Sequence, residues 1–170
     1  MNIVLTGMMG SGKSTVGKKL ASRLNFNYID TDDMIEEQVG KSINEIFEKA
    51  GQEAFRRLEK DSVRLVALLD GYVISAGGGV VTDRENIKEL KKKSVIVYLA
   101  ASPEVLYERL KKKNNRPLLK VNDPLAKLKE ILKERRKEYS KADITVETSG
   151  KKPSRIAGEI IEKVEELKKD

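Results

Sequence analysis

An eight-residue segment near the start of the chain, Gly7 to Ser14, has the pattern G-x-x-x-x-G-K-S. The apolar run from Ile3 to Leu5 precedes this segment, and a helical stretch from Thr15 to Leu24 follows it. Between a strand and a helix, such a glycine-rich turn directs backbone N–H groups and the helix N-terminus toward phosphate oxygens. A glycine-rich β-turn with a solvated lysine has a similar pattern, but the flanking strand and helix favour phosphate binding. We therefore predict an α/β domain that binds a nucleoside triphosphate.

The residues of this P-loop have separate predicted roles. Lys13 is expected to reach the β- and γ-phosphates, and the Ser14 hydroxyl is expected to coordinate Mg²⁺. The remaining predicted phosphate ligands lie beside them in the loop and the helix start, and they are Gly10, Ser11, Gly12 and Thr15.

The composition limits the chemistry that is open to the chain. Its 170 residues suit a single domain, predicted over 1–170, and they include neither cysteine nor histidine. Disulfides, thiolate metal sites and a histidine base are thereby excluded, so acid–base chemistry falls to carboxylates, Lys, Arg or Tyr. No apolar run is long enough to cross a membrane, and the start of the chain does not look like a signal peptide. We expect a cytoplasmic protein without a membrane partner.

The net charge of +7 has two interpretations, because a basic protein can bind nucleic acid or small anions. Lysine clusters at 91–93 and 111–113 end helical stretches, where cations suit the helix dipole, so we interpret them mainly as solvated helix ends. Few aromatic residues are available for base stacking, and we expect no nucleic-acid partner.

Short apolar runs alternate with longer helical patterns along the chain. The runs are β-branched or aromatic and mostly lack in/out alternation, which is typical of strands buried on both faces of a parallel sheet. The five predicted strands are Ile3–Thr6, Tyr28–Asp30, Tyr72–Ala76, Val95–Leu99 and Ile144–Val146. With the helices between them, the order βαβααβαβααβα predicts a three-layer α/β fold around a five-stranded parallel sheet.

Several helices carry start and stop signals. Ser42 to Glu45 and Thr82 to Glu85 both have the pattern of a capping box, and Gly51 is a plausible stop for the first of these helices. Ser102-Pro103 and Asp123-Pro124 each have the pattern of an N-cap followed by proline at the first helical position. In the helix predicted from Gln52 to Leu69, the residues at roughly helical spacing are Phe55, Leu58, Leu65 and Leu69. A last helix is predicted from Ser154 to Lys168.

Carboxylates follow the second predicted strand. In an open α/β sheet, ligands bind beyond the carboxyl ends of the strands, and Asp30, Asp32 and Asp33 lie at such an end. Asp32 or Asp33 could be a helix N-cap, but three acids exceed what one cap requires. If the bound triphosphate donates a phosphoryl group, Mg²⁺ needs oxygen ligands and the accepting hydroxyl must be oriented. We predict that Asp30 holds the metal through water and that Asp32 binds this acceptor hydroxyl.

Glycines and arginines are further candidates for ligand binding at this edge of the sheet. Gly77 to Gly79 follow the third strand, where three glycines allow close ligand approach and offer bare N–H donors. Only one of Arg56 and Arg57 can face a cleft if Phe55 faces the core, and Arg135 and Arg136 pose the same choice.

Two polar segments are candidate nucleotide contacts. The stretch 111–123 is basic and contains Arg116, and it is either an ordinary surface loop or, as we favour, a mobile lid over the nucleotide. The stretch from Ser149 to Pro153 follows the last strand and could cover a nucleotide base.

Taken together, these motifs resemble those of shikimate kinase. The resemblance is carried by five motifs spread over nearly the whole chain: the P-loop, Asp30-Thr-Asp32, Phe55-Arg-Arg-Leu-Glu59, the triple glycine and Arg116-Pro-Leu-Leu119. The resemblance implies a fold like that of nucleoside monophosphate kinases and transfer of the ATP γ-phosphoryl group to the 3-hydroxyl of shikimate, in aromatic amino acid biosynthesis.

The resemblance also implies roles for individual residues. Shikimate would be bound by the helical segment 32–60 and by later loops, through Asp32, Arg56, Gly77, Gly78, Gly79 and Arg135. Glu59 would orient Arg56, and Gly78 is the strongest candidate for a direct backbone contact. Lys13, Asp32 and Arg116 would be catalytic, while Arg109, Lys151 and Pro153 would line the adenine site.

The chain departs from the family pattern in two places. It has Arg135-Arg-Lys-Glu-Tyr139 where the family usually has Arg-x-Pro-x-Tyr, which leaves Arg136 open as an alternative to Arg135. Lys151 stands where the family often has an arginine, so contacts to adenine are less well defined there.

The alternatives to a shikimate kinase are a gluconate or nucleoside monophosphate kinase, or a nucleotide-regulated module that binds nucleic acid. We expect a monomer.

Overall fold

A computed structural model describes residues 1–112 and 121–169 of the chain. The parallel strands are β1 (Asn2–Thr6), β2 (Asn27–Asp30), β3 (Tyr72–Ser75), β4 (Ser94–Ala100) and β5 (Ile144–Glu147). The helices are α1 (Lys13–Leu24), α2 (Thr31–Val39), α3 (Ile43–Val66), α4 (Arg84–Lys91), α5 (Pro103–Leu110), α6 (Pro124–Tyr139) and α7 (Pro153–Leu167), and a 3₁₀ turn covers Val80–Thr82. The element order agrees with the predicted one, and each strand lies within two residues of its predicted bounds.

The strand order in the sheet is β2-β3-β1-β4-β5, so the strand before the P-loop is central. All residues of β1 are buried, because β1 pairs with β3 and β4 and has helices on both faces. Ile3 and Leu5 pack into a cluster with α1 and α7, whereas Val4 packs on the opposite face with α3 and α4. This alternation explains the continuous apolar run of β1 and confirms the predicted three-layer fold.

Most of the predicted helix starts are confirmed. The Ser42 side chain accepts from Glu45 N while the Glu45 carboxylate accepts from Ser42 N, which is the reciprocal pattern of a capping box. Ser102 and Asp123 are the N-caps of α5 and α6, each followed by proline. The second predicted capping box is wrong.

Asp83, one residue after Thr82, caps α4 by accepting from Glu85 N. Thr82 is unsuited to this role because it belongs to the preceding 3₁₀ turn, in which its hydroxyl donates to Gly79 O. The helix therefore begins one residue later than the sequence pattern suggested.

Gly51 ends the first of the two helical segments that make up α3, as predicted. Its backbone has φ 80° and ψ 174°, which is not helical, and the helix resumes directly afterwards. Beyond this break the buried face carries Phe55, Val63 and Val66, whereas Leu65 is 50% exposed. Leu65, one of the residues at predicted helical spacing, therefore does not face the core. At about 100° per residue, Val66 and Val63 lie roughly 20° and 80° from Phe55 in one direction, whereas Leu65 lies roughly 80° from it in the other, outside the buried face.

Within the described ranges, no helix combines the length and apolar character of a membrane-spanning segment. Most of the predicted lid, including Arg116, lies outside the described residues, which resume at Val121. The single-domain organisation and the cytoplasmic location stay predictions.

Candidate active site

The carboxyl ends of β1, β2 and β3 lie side by side at one edge of the sheet. The P-loop follows β1, the aspartates follow β2, and the triple glycine follows β3. Gly78 is close to the P-loop, since a Cβ added to it would lie 3.5 Å from Gly7 O. The sheet therefore brings the predicted donor and acceptor residues into one cleft.

The P-loop wraps tightly before α1. Gly10 and Gly12 have left-handed backbones, with φ 80° and 99°, and Gly12, the N-cap residue of α1, has no side chain that could cap the helix. Lys13 Nζ donates to Gly7 O at 2.8 Å and to Met8 O at 3.1 Å. Uncapped N–H groups at a helix start, beside a lysine ammonium, are arranged to receive phosphate oxygens.

Asp30 accepts hydrogen bonds on both carboxylate oxygens. Ser14 Oγ donates to Asp30 Oδ2 at 3.2 Å, and Tyr28 Oη donates to the same oxygen at 3.3 Å. Asp32 N donates to Asp30 Oδ1 at 3.0 Å, so Asp30 is the N-cap of α2. The possibility that Asp32 or Asp33 caps this helix is thus wrong, because the chain is already helical from Thr31.

Tyr28 was not predicted as part of this site, although it occupies the strand position two residues before Asp30. Burial raises the pKa of its phenol, and the neighbouring Ser14 hydroxyl opposes this rise. The phenol therefore stays a hydrogen-bond donor near neutral pH. The hydroxyl and carboxylate oxygens of Ser14 and Asp30 are hard ligands of the type that Mg²⁺ prefers.

Gly77 leaves room for two carboxylates. A Cβ at this position would lie 2.7 Å from Asp32 Oδ1 and 3.1 Å from Glu59 Oε1. Its N–H donates to Thr31 Oγ1 at 3.0 Å, which ties the triple-glycine loop to the start of α2. A larger residue here would displace the Asp32 carboxylate and press on the buried Glu59 carboxylate.

Arg56 and Glu59 form the best-buried ion pair of the described site. Arg56 Nη1 donates to Glu59 Oε2 at 2.6 Å, and the Glu59 side chain is only 2% exposed. Burial raises the pKa of Glu59, while Arg56 and, less strongly, Arg135 oppose the rise. The Arg56 guanidinium lies against Gly79, because a Cβ there would be 2.0 Å from Nη1.

In each of the two Arg-Arg dipeptides, one arginine faces the cleft and the other is exposed to solvent. Arg57 is 77% exposed and pairs with Glu53, so Arg56 is the one that faces the cleft. On α6, Arg136 is exposed, whereas Arg135 Nη1 donates to Gly78 O at 3.0 Å. Arg56 and Arg135 thus reach the triple-glycine loop from two different helices.

Tyr139 also contacts this loop. Its hydroxyl donates to Gly78 O at 2.9 Å, and its ring stacks on Tyr98 of β4 with centroids 4.7 Å apart. Burial raises the pKa of Tyr139 to about 12, although Arg135 opposes the rise. Tyr139 is therefore a neutral donor over the ordinary pH range.

Arg109 joins the P-loop to the loop after β5. Its Nη1 donates to Gly10 O at 3.2 Å and to Thr148 Oγ1 at 3.2 Å, and its Nη2 donates to Thr148 O at 3.0 Å. Thr148 is fully buried, and its hydroxyl donates to Ala100 O at 3.0 Å. Thr148 therefore fixes Arg109 beside the P-loop.

Comparison with known proteins identifies the family. The sequence profile of shikimate kinase matches residues 9–165. The chain belongs to the shikimate kinase family. A shikimate kinase from Caldanaerobacter subterraneus is 48% identical over 167 residues, which cover 98% of each chain. The structure of an Acinetobacter baumannii shikimate kinase in complex with shikimate has a TM-score of 0.94 and 36% identity, covering 98% of this chain and 94% of that one.

Shikimate kinase activity, predicted from the motifs, is confirmed by these relatives. A gluconokinase from Sinorhizobium meliloti superposes with a TM-score of 0.64 at 19% identity, over 98% of this chain and 92% of that one. At this identity the likeness shows a common fold only. The gluconate kinase alternative thus has no support beyond the shared architecture.

Two of the residues predicted to line the adenine site, Lys151 and Pro153, lie at the start of α7. Pro153 is the first residue of α7, and Lys151 Nζ lies 2.6 Å from Glu159 Oε2 of that helix.

Thr148 was not predicted as a site residue, because a threonine at the end of a strand carries no distinctive local pattern. Only its distant partners, Arg109 and Ala100, reveal its place in the site.

Proposed function

We propose that this chain transfers the γ-phosphoryl group of ATP to the 3-hydroxyl of shikimate, giving shikimate 3-phosphate and ADP. One observation carries the assignment of the acceptor: Arg56 and Arg135, from separate helices, meet at Gly78 and Gly79 next to the P-loop. Two guanidinium groups at one loop suit a carboxylate, because bidentate pairing fixes its orientation as well as attracting its charge.

The donor half of the proposed site is the P-loop with its neighbours. Backbone N–H groups from Gly10 to Thr15 would hold the phosphates, and Lys13 would exchange its bonds to Gly7 O and Met8 O for phosphate oxygens. Arg109 would lie along the adenine, with Lys151 and Pro153 at its far edge. Arg116 would approach the phosphates from the lid.

The proposed metal ligands are Ser14, directly, and Asp30, through water. No group of three or more acidic residues able to hold a metal occurs among the described residues, so the ion would share its coordination with ATP and water. When bound, Mg²⁺ supplies positive charge to the β- and γ-phosphates.

The acceptor half would align the reacting hydroxyl. Arg56 and Arg135 would hold the shikimate carboxylate, and Glu59 would keep Arg56 in place. Asp32 would align the 3-hydroxyl and accept its proton. The hydroxyl oxygen forms the new bond to the γ-phosphorus as the bond from that phosphorus to the bridging oxygen of ADP breaks. Lys13 would stabilise the charge that develops on the transferred group, which is the main catalytic requirement of phosphoryl transfer.

A coupled assay of ADP release tests this function directly. Shikimate with Mg-ATP should give turnover, whereas gluconate and nucleoside monophosphates should not exceed the background rate of ATP hydrolysis. Phosphorus NMR of the product should show a phosphate ester on the 3-oxygen. Folded protein without shikimate-dependent turnover would contradict the proposal. Light scattering of the same sample tests the expected monomer.

A further inference from the structure

The carbonyl of Gly78 receives two hydrogen bonds from α6. Arg135 Nη1 donates to it at 3.0 Å and Tyr139 Oη donates at 2.9 Å, both from within one turn of the helix. Arg135 has a proposed role in binding shikimate. The Tyr139 hydroxyl is not assigned any role in the reaction by the proposed mechanism.

Tyr139 is held more rigidly than its neighbour. Its side chain is 1% exposed, and its ring lies parallel to that of Tyr98, with an angle of 3° between the planes. Arg135 is only partly buried and lies closer to solvent. The Tyr139 hydroxyl is therefore the fixed donor of the pair, and Arg135 is the one that a ligand can attract.

A fixed Gly78 carbonyl also fixes the next amide. The chain contains no cis peptide bond among its described residues, and in a trans peptide the C=O and the following N–H point in opposite directions. With Gly78 O directed at α6, the Gly79 N–H points away from α6. Neither this N–H nor that of Gly78 has a protein acceptor within the described residues.

We infer that Tyr139 is a positioning residue for the acceptor: through Gly78 O, its hydroxyl sets the direction in which the Gly79 N–H is offered to shikimate. This inference rests on the proposed function. When the shikimate carboxylate attracts Arg135, Gly78 O keeps Tyr139 as a donor. The Gly78 carbonyl thus keeps a hydrogen-bond donor, and this bond holds the Gly78–Gly79 peptide in its orientation.

Kinetics of Tyr139→Phe test the inference. The variant keeps the ring and its stacking, and it loses only the hydroxyl. We expect the KM for shikimate to rise about threefold to tenfold, the effect of one lost hydrogen bond, while the KM for ATP is unchanged. Tyr98→Phe removes a hydroxyl from the same stacked pair without touching Gly78, and it should leave both KM values unchanged.

A second measurement does not depend on the variant. Glycine follows glycine only within Gly77–Gly79, so protein labelled with ¹³C at glycine carbonyls and ¹⁵N at glycine amides carries both labels at only two amides, those of Gly78 and Gly79. In the wild-type protein, the Gly79 amide signal should shift on addition of shikimate. In Tyr139→Phe without ligand, the same signal should already be displaced.

The outcomes separate the inference from the proposed function. An unchanged KM for shikimate in Tyr139→Phe would overturn the inference, and so would a wild-type Gly79 signal that does not respond to shikimate. A parallel rise of both KM values with a lower melting temperature would assign Tyr139 to the fold alone. Wild-type protein without shikimate-dependent ADP release would contradict the proposed function, and the ligand-free comparison of the Gly79 signals would still test whether Tyr139 holds the peptide.

Discussion

Arg56 and Glu59 are joined by a 2.6 Å hydrogen bond in which the carboxylate is buried and the guanidinium is one-third exposed. The bond spans one turn of α3, so the backbone fixes Glu59 and Glu59 fixes Arg56. In the proposed site, this asymmetry would make Glu59 the support and Arg56 the group that meets shikimate.

Replacement of Glu59 by glutamine should weaken shikimate binding. The neutral amide cannot hold the guanidinium as strongly as a carboxylate, so we expect the KM for shikimate to rise by about tenfold, equivalent to about 1.4 kcal/mol. Glu53→Gln is the matched control, because the Glu53–Arg57 pair lies on the same helix with the same 2.6 Å distance but is fully solvated. A similar change of KM in both variants would count against a specific role for Glu59.

The pH dependence of stability should also reflect Glu59. Burial raises its pKa above the ordinary value of 4.5, so the folded protein retains this proton at pH values where the unfolded chain has lost it. The free energy of unfolding of the wild type, relative to Glu59→Gln, should therefore fall as pH increases from 4.5 through the folded pKa. Urea unfolding of both proteins over this range measures the difference, and a difference that grows with pH would refute the assignment.

Asp32→Asn tests the proposed alignment of the acceptor hydroxyl. Loss of the carboxylate should lower kcat by about 10²-fold or more, the range for groups that assist proton transfer, while ATP binding is retained. Asp33→Asn is the control, because its carboxylate is the next one along α2. Calorimetric titration with ATP and steady-state kinetics check both parts. Retention of most turnover would remove Asp32 from its role.

Thr148→Val should weaken the binding of ATP and leave the binding of shikimate unchanged. The substitution keeps the volume and removes the hydroxyl that links Arg109 to Ala100 O, so the KM for ATP should rise about threefold to tenfold. Thr148→Ser should restore it. Thr145→Val, at an exposed position of the preceding strand β5, is the control for replacing a threonine by valine. An effect on the KM for shikimate alone would contradict the placement of Arg109 at the nucleotide.

Most of the fold followed from local patterns. The apolar runs located the strands because the inner strands β1, β3 and β4 are largely buried, although the edge strands β2 and β5 are only partly so. The caps at Ser42, Ser102 and Asp123 depend on neighbours within three residues. The prediction of a cap at Thr82 was wrong because a preceding 3₁₀ turn shifted the helix start by one residue. Such a turn depends on the packing of the triple-glycine loop and has no pattern of its own.

The site residues that lie at the carboxyl ends of strands could be predicted from the sequence. Sequence patterns could not choose between Arg135 and Arg136, because the choice depends on which side of α6 packs against α5 and the 3₁₀ turn. Tyr28 was missed although its partner, Asp30, is only two residues away. Tyr139 and Thr148 act through partners that are 61 and 48 residues away, respectively. Long-range bonds of this kind are visible only once the sheet order is known.

The break at Gly51 divides α3 into two segments with different anchorage. The end of the segment after the break packs on the sheet through Val63 and Val66. The segment before the break instead contributes Ile46 to a small separate cluster with Ile35 of α2 and with Phe55, which lies just after the break. A helix interrupted in this way can lose one half of its hydrogen bonds while keeping the other. Amide hydrogens of α2 and of Ile43–Ala50 should therefore exchange with solvent sooner than those of β1, which makes this corner of the molecule a separate unit of local unfolding.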